Sequence, residues 1–213
     1  MHQLWKKLTF WMDRKPTKVR FITRLSAYVI DWILGGIFTG LPAVFIYAAV
    51  SGKSDMFSNL YVFPSLGYSV YWSYLTGVLC LLFGFIYLIY IPYRKYPGQT
   101  LGKRFMKIKI ARIDGQPLDL KTLLIRQFVG LILLEGVSTV VATYIRQMLT
   151  ILTGIYLEYY LTAICSVVTV VSAVLVFNTP SARSIHDYLA KTTVILENDK
   201  IVQPSKRKKS KHR

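Results

Sequence analysis

Two carboxylates within apolar stretches of the chain are the residues best placed to do chemistry. Asp31 lies ten residues beyond Phe21, where the first stretch begins, which is about 15 Å along a helix axis. Glu135 lies nine residues beyond Arg126 in a later stretch, at a similar depth. Charged groups are costly in a hydrocarbon core and normally face a protein interior or a wet cavity. Two carboxylates near one level on different helices predict a site that binds a small cation or relays a proton.

Arg24 adds a cation to the first of these stretches. It precedes Asp31 by seven residues, so the two lie on nearly the same helix face but about two turns apart. This spacing disfavours a direct ion pair. We therefore expect Arg24 either to reach the inner membrane interface or to pair with another helix. The alternative to an ion path is a structural lock between Arg24 and a carboxylate of another helix, with no transport role.

Other motifs do not favour enzymatic or metal chemistry. The glycines of Gly98-Gln-Thr-Leu-Gly102 are separated by three residues, where a phosphate-binding loop has four. Arg104 follows Lys103 where that loop has the Ser or Thr that binds magnesium. The pair His186-Asp187 has no second cluster of metal ligands. We therefore predict that the protein is not an enzyme and holds neither a metal nor another cofactor.

The distribution of charge indicates an integral membrane protein. Hydrophobic residues make up 53% of the 213 residues, and a transmembrane helix needs about 20 consecutive apolar residues. Stretches without Asp, Glu, Lys or Arg occupy positions 32–52, 56–93 and 159–182. Lys and Arg concentrate in residues 1–20, 94–121 and 183–213. This asymmetry predicts that both termini and the central loop are cytoplasmic, and it explains the net charge of +17 without nucleic acid.

We predict an all-α integral membrane protein of the cell membrane with about four transmembrane helices. The membrane domain is expected at residues 18–196. Its spans are expected at about 21–47, 72–93, 126–145 and 156–177. Residues 148–156 are also apolar, so a re-entrant or tilted arrangement of the third and fourth spans stays open.

The two ends of the chain are predicted to lie at the inner surface of the membrane. Residues 1–17 are expected to form an interfacial amphipathic helix, with the alternative of a soluble helix packed on the protein's own loop. The apolar face of this helix consists of Leu4, Trp5, Leu8, Trp11 and Met12. Residues 197–213 form a basic cytoplasmic tail, which either contacts anionic lipid or is a solvated segment without function.

The central cytoplasmic loop, residues 94–125, contains a weak strand pattern. Apolar and basic residues partly alternate over residues 105–111, and Asp114-Gly115 supplies a turn. We expect a short β-hairpin in this loop, or pairing of its strand with the β-rich stretch Thr192–Leu196.

Taken together, these residues resemble the RDD family of small membrane proteins. The family has an Arg at the start of its first span and an Asp in the middle, here Arg24 and Asp31. The other matching positions are Gly98, Thr100, Gly102, Lys103 and Arg104 after the second span, Asp114-Gly115, Arg126, and His186-Asp187 ahead of Val194. The second family aspartate corresponds to Asp187 or to Asp114, and we prefer Asp187. Lys191 stands where the family commonly has a Gly.

Some RDD proteins are similar to sodium(lithium, potassium)/proton antiporters, so the resemblance implies exchange of monovalent cations for protons. In this hypothesis Asp31 and Glu135 form the ion or proton path. Arg24, Arg126 and Asp187 form an inner charge network that shifts the pKa of this carboxylate site. The alternative is a non-transporting accessory protein that binds a protein partner or anionic lipid. Because four helices barely enclose a pathway, we also expect a homo-oligomer in the lipid bilayer.

Overall fold

The computed structural model describes residues 17–137 and 139–201. The predicted interfacial helix and most of the basic tail lie outside these residues. The α-helices are α1 (Phe21–Ser51), α2 (Val62–Ser65), α3 (Tyr71–Phe85), α4 (Leu101–Phe105), α5 (Leu120–Leu123), α6 (Val140–Thr153), α7 (Leu157–Asn178) and α8 (Ile185–Leu189). Two π-helical segments continue α3 and α5, namely π1 (Ile86–Lys95) and π2 (Leu124–Leu134). The strands are β1 (Ile108–Arg112) and β2 (Thr192–Leu196).

Three helical segments among the described residues are long and apolar enough to cross a membrane. They are α1, α3 together with π1, and α7. The shorter α6 is also apolar. Helix α1 contains Pro42 and ends at Gly52, whose φ of 69° is the left-handed conformation that commonly terminates helices. These segments make the chain a multi-pass membrane protein and agree with the predicted all-α class.

The third span was predicted as one helix over residues 126–145, whereas the structure has two helical segments there, π2 and α6. The chain leaves the helical path between π2 and α6, at Glu135 and Gly136. Arg146 Nη1 donates to the carbonyl oxygen of Gly136 at 2.8 Å. Thr169 Oγ1 donates to the carbonyl oxygen of Glu135 at 3.0 Å. These side chains stabilise the break because they satisfy carbonyl groups that lipid would leave unpaired.

The polar segments at one end of the helices fold into a cap, which consists of α4, β1, α8 and β2. The strands are antiparallel, with Ile110 opposite Val194. The expected pairing of the central loop with the β-rich stretch is therefore confirmed, whereas a hairpin within the loop is wrong because the partner strand follows α8. Ile108 and Val194 are buried against Val19 and Ala27 near the start of α1, which attaches the cap to that helix.

The cap contains two units with nearly the same backbone conformation. Unit 1 is residues 98–112 and unit 2 is residues 182–196. Each has an extended N-cap, a five-residue helix and a five-residue strand. The N-caps, Thr100 and Ser184, have φ/ψ of −74°/170° and −82°/170°. Between helix and strand, Lys107 and Lys191 both have a φ of 53°. Equivalent positions of the two units can therefore be compared directly.

Candidate functional site

Unit 1 encloses the carboxylate of Asp31. Oδ1 accepts hydrogen bonds from Tyr87 Oη at 2.9 Å and from the backbone N–H of Gly102 at 2.8 Å. Oδ2 accepts from Thr100 Oγ1 at 2.5 Å and from Lys103 Nζ at 3.2 Å. The glycine-rich motif thus binds an anion, as phosphate-binding loops do, but the anion is a carboxylate of the same chain.

Both glycines of this motif allow close backbone approaches. A Cβ added to Gly102 would lie 2.8 Å from Cγ and 2.9 Å from N of Asp31, so a side chain there would push α4 away from α1. Gly98 has a φ of 78°, and its added Cβ would lie 3.3 Å from the backbone N of Ile110. The motif therefore needs glycine for a close contact with α1 and for a left-handed turn.

The predicted charge network is assembled around Asp187, which is fully buried. Arg24 Nη2 donates to its Oδ2 at 2.6 Å. Arg126 donates to its Oδ1 from Nη2 at 2.8 Å and from Nε at 3.0 Å. Burial alone would raise the pKa of the Asp187 carboxyl, but the guanidinium groups of Arg126 and Arg24 hold that pKa well below its usual range. The carboxyl of Asp187 is therefore ionised at neutral pH.

Arg24 joins α1 to unit 2 and does not contact Asp31. Its Nη1 also donates to the carbonyl oxygen of Ala182. Arg24 was expected either to reach the inner membrane interface or to pair with another helix. The structure shows it paired with Asp187 of α8. Asp114, in contrast, lies in an exposed turn, where Arg112 Nη2 is 2.6 Å from its Oδ2. This geometry favours Asp187 over Asp114 as the second aspartate of the family pattern.

Glu135 is paired with His186. The backbone N–H of His186 donates to Oε1 at 2.8 Å, and its Nδ1 lies 2.9 Å from Oε2. On the other side of the ring, Nε2 lies 3.1 Å from Nη2 of Arg126. The Ser184 hydroxyl lies 2.8 Å from the same ring nitrogen, so His186 links Glu135 to both Arg126 and Ser184. Among the described residues, Asp31 and Glu135 therefore do not share a hydrogen-bond partner, although both were predicted to line one path.

A small cavity of about 60 Å³ lies beside Asp31. Gln127 and Thr139 also line it. Gln127 is 1% exposed, and neither its Nε2 nor Thr139 Oγ1 has a hydrogen-bond partner within the part of the chain that the structure describes. A cavity of this size has room for a few water molecules. It is therefore a mainly apolar pocket with a few polar groups, next to a largely buried carboxylate.

A larger cavity of about 390 Å³ adjoins the charge network. Glu135, His186, Arg24 and Arg126 contribute to its walls. Lys103 lines this cavity and also the small one. The ion pair between Lys103 and Asp31 therefore lies at the boundary between the two cavities.

The fold and the site define a multi-pass membrane protein whose first long apolar helix carries an arginine and an aspartate, each bound by one unit of the cap. The RDD family model matches residues 19–191. The chain belongs to the RDD family, which confirms the resemblance found in its sequence. Comparisons with curated proteins and with solved structures gave no match.

Proposed function

We propose that this RDD protein exchanges a monovalent cation for a proton across the membrane, with Asp31 as the cation-binding carboxylate. The observation that carries the proposal is the position of Asp31, which lies within an apolar helix, lines the small cavity and pairs with Lys103, a residue that lines both cavities. Its carboxylate holds one positive charge, the Lys103 ammonium, at 3.2 Å. A single carboxylate suits a monovalent ion, whereas calcium sites use 6–8 oxygen ligands with several carboxylates.

We assign to Glu135 and His186 the passage of protons or ions between the larger cavity and Lys103. Both side chains line that cavity, and they contact each other at 2.9 Å. Histidine is the side chain whose ordinary pKa lies closest to neutral pH. A histidine–carboxylate pair in a cavity wall is therefore suited to accept and return a proton during each cycle.

We place the cap and both termini in the cytoplasm of a cell, with the helices in the cell membrane. The support is the concentration of Lys and Arg in the cap segments and at the two ends of the chain. We also propose a homo-oligomer, because four helices barely enclose a pathway. The mass of the detergent-solubilised protein measures the number of subunits.

Ion flux in proteoliposomes tests the proposed exchange. A pH gradient across vesicles that contain the wild type should dissipate when sodium, lithium or potassium is added. Asp31→Asn should abolish this response, whereas the matched control Asp114→Asn, in an exposed turn of the cap, should retain it. A wild-type rate in Asp31→Asn would contradict the role of Asp31. Absence of flux in the wild type, over several ions and pH values, would favour a non-transporting accessory protein that binds a protein partner or anionic lipid.

A further inference from the structure

We propose that the larger cavity is a binding site for a phospholipid with an anionic headgroup. In this site the headgroup contacts Arg24 and Lys103 at the cap, and an acyl chain lies between α1 and α7. The proposal goes beyond the exchange of ions and does not depend on it, because a lipid can occupy this cavity whether or not the protein transports a cation.

The size and the walls of the larger cavity suit an organic ligand. Its volume of about 390 Å³ lies in the usual range of ligand pockets, about 300–1,000 Å³. Such pockets are mainly apolar, with a few polar groups that orient the ligand, and they often lie between the helices of a bundle. Apolar and aromatic side chains from α1, π2 and α7 form a large part of these walls. A small cation gains nothing from apolar walls, so the walls favour a ligand with an apolar part.

The larger cavity opens to the side between α1 and α7. Leu25 of α1 and Ala173 and Phe177 of α7 line it, and all three side chains are exposed. Both helices are long and apolar enough to cross a membrane, so these exposed side chains face lipid. The two helices meet at the rings of Phe21 and Phe177, whose centroids are 4.0 Å apart. An acyl chain can therefore enter the cavity from the bilayer without crossing a layer of water.

The walls of the larger cavity carry an excess of positive charge. Among the described residues that line it, Arg24, Lys103 and Arg126 are cationic and Glu135 is acidic. The three cations lie at the cap, because Lys103 belongs to the cap and both arginines bind its Asp187. Basic pockets between transmembrane helices on the cytoplasmic side bind the headgroups of anionic lipids. The cavity thus has a cationic end for a headgroup and apolar walls on the long helices for an acyl chain.

The carboxylates that pair with these cations leave N–H groups for a ligand. Within the described part of the chain, Lys103 Nζ donates to Asp31 and Thr100, whereas an ammonium group has three N–H bonds. Arg24 donates from Nη2 to Asp187 and from Nη1 to a backbone carbonyl oxygen, whereas a guanidinium group has five N–H bonds. The side chains of Lys103 and Arg24 are 16% and 12% exposed. Both cations can therefore contact a phosphate oxygen while they keep their present partners.

A free phosphate ion offers the same oxygens as a phospholipid headgroup, but the structure favours the lipid. A free ion would contact the cations and would leave the apolar walls and the lateral opening unused. An acyl chain adds contacts with Leu25, Ala173 and Phe177, and such contacts raise the affinity roughly in proportion to the apolar area that is buried.

A bound lipid would also regulate the proposed exchange, and this consequence rests on that function. Glu135 and His186 line the same cavity, so a lipid there would restrict the passage that we assign to them. Phosphatidylglycerol added to phosphatidylcholine vesicles should therefore slow the cation-dependent flux of the wild type. Ala173→Trp, whose indole would fill the cavity from α7, should remove this effect, and equal slowing of both proteins would contradict the regulation.

Native mass spectrometry of the purified, delipidated protein in detergent tests the lipid site itself. The protein is titrated with phosphatidylglycerol or with phosphatidylcholine of the same acyl chains. We expect the wild type to bind one phosphatidylglycerol per chain, with a Kd at least tenfold lower than that for phosphatidylcholine. Ala173→Trp keeps every cation of the cavity but should bind phosphatidylglycerol at least tenfold more weakly. The control Ala163→Trp, at another exposed position of α7, should match the wild type.

Leu25→Trp narrows the same cavity from α1 and takes the place of Ala173→Trp if that variant does not fold. Equal affinity of the wild type for the two lipids, or unchanged affinity of the folded cavity variant for phosphatidylglycerol, would overturn the proposal. Soluble glycerol 3-phosphate that competes as strongly as phosphatidylglycerol would assign the site to a free phosphate and would also overturn it. Flux is measured separately, so flux without selective lipid binding would leave the exchange intact, and selective lipid binding without flux would leave the lipid site intact.

Discussion

Replacement of Asp187 by Asn should strongly destabilise the protein although the two side chains have nearly the same size. The substitution removes the negative charge between Arg24 and Arg126 and leaves two guanidinium groups buried without a counter-ion. The amide nitrogen of Asn would also meet hydrogen-bond donors, because Ser184 Oγ and the arginines donate to the Asp187 oxygens. Water cannot reach the new side chain to compensate, because the side chain at position 187 is 0% exposed.

The expected loss follows from the cost of breaking a buried ion pair. Removal of one partner from such a pair costs about 3–5 kcal/mol, since the other charge stays buried and uncompensated. In a chain of this size, one kcal/mol changes Tm by about 2–4 °C. We therefore expect Tm of Asp187→Asn to fall by roughly 6–20 °C.

Thermal unfolding of the detergent-solubilised protein, followed by intrinsic fluorescence, measures this change. The matched control is Asp114→Asn, whose ion pair with Arg112 is exposed to solvent, so its Tm should stay close to that of the wild type. The variant Arg24→Gln with Asp187→Asn should be less destabilised than the sum of the single variants, because both charges are removed together. Equal Tm values for Asp187→Asn and Asp114→Asn would refute the reasoning.

The pH dependence of this difference provides a second check. Burial alone would raise the pKa of Asp187, but Arg126 and Arg24 hold it well below 3.8. A lowered pKa contributes stability that is present above the unfolded pKa and is lost as the pH falls through the folded pKa. Both pKa values lie below 5, so the Tm difference between wild type and Asp187→Asn should be the same at pH 6 and pH 8.

Two further substitutions test the backbone of the cap by the same unfolding measurement. Gly102→Ala should lower Tm by several degrees and abolish sodium binding, because its Cβ would lie 2.8 Å from Cγ of Asp31. Gly40→Ala, whose Cβ would meet its nearest neighbour at 3.8 Å, should not lower Tm and should leave sodium binding unchanged. Lys191→Gly should raise stability by about 0.5–1 kcal/mol, because Lys191 has a φ of 53°. Lys109→Gly, within β1, should lower the stability by a similar amount. A Lys191→Gly variant less stable than Lys109→Gly would contradict the left-handed conformation of Lys191.

Hydropathy predicted the long helices well because burial in lipid requires long runs of apolar residues. The predicted spans 21–47, 72–93 and 156–177 each largely coincide with a long apolar helix. The break after Glu135 could not be predicted, because Gly136 is a single glycine and no proline is nearby. Its stabilisation depends on tertiary contacts, such as that of Arg146 with the Gly136 carbonyl oxygen.

The contacts of Asp31 could not be predicted from the sequence either. Helical periodicity relates residues a few positions apart, whereas Thr100 and Lys103 are 69 and 72 residues from Asp31. Tyr87 was missed because nothing in its apolar span distinguishes it from the neighbouring tyrosines. The basic glycine-rich motif was identified, but its ligand was not, because that ligand is a carboxylate on a helix distant in the sequence.

The two units of the cap hold the two charged residues of α1 by contacts of different strength. Asp187 and Lys103 occupy the same position in their units, three residues after the N-cap, and each binds the oppositely charged residue of α1. Asp187 is held by two arginines and is fully buried. Lys103 is held by one carboxylate and is partly exposed to two cavities. Because a buried charge with two counter-ions costs more to release than one with a single counter-ion, unit 2 is expected to hold α1 more tightly than unit 1 does.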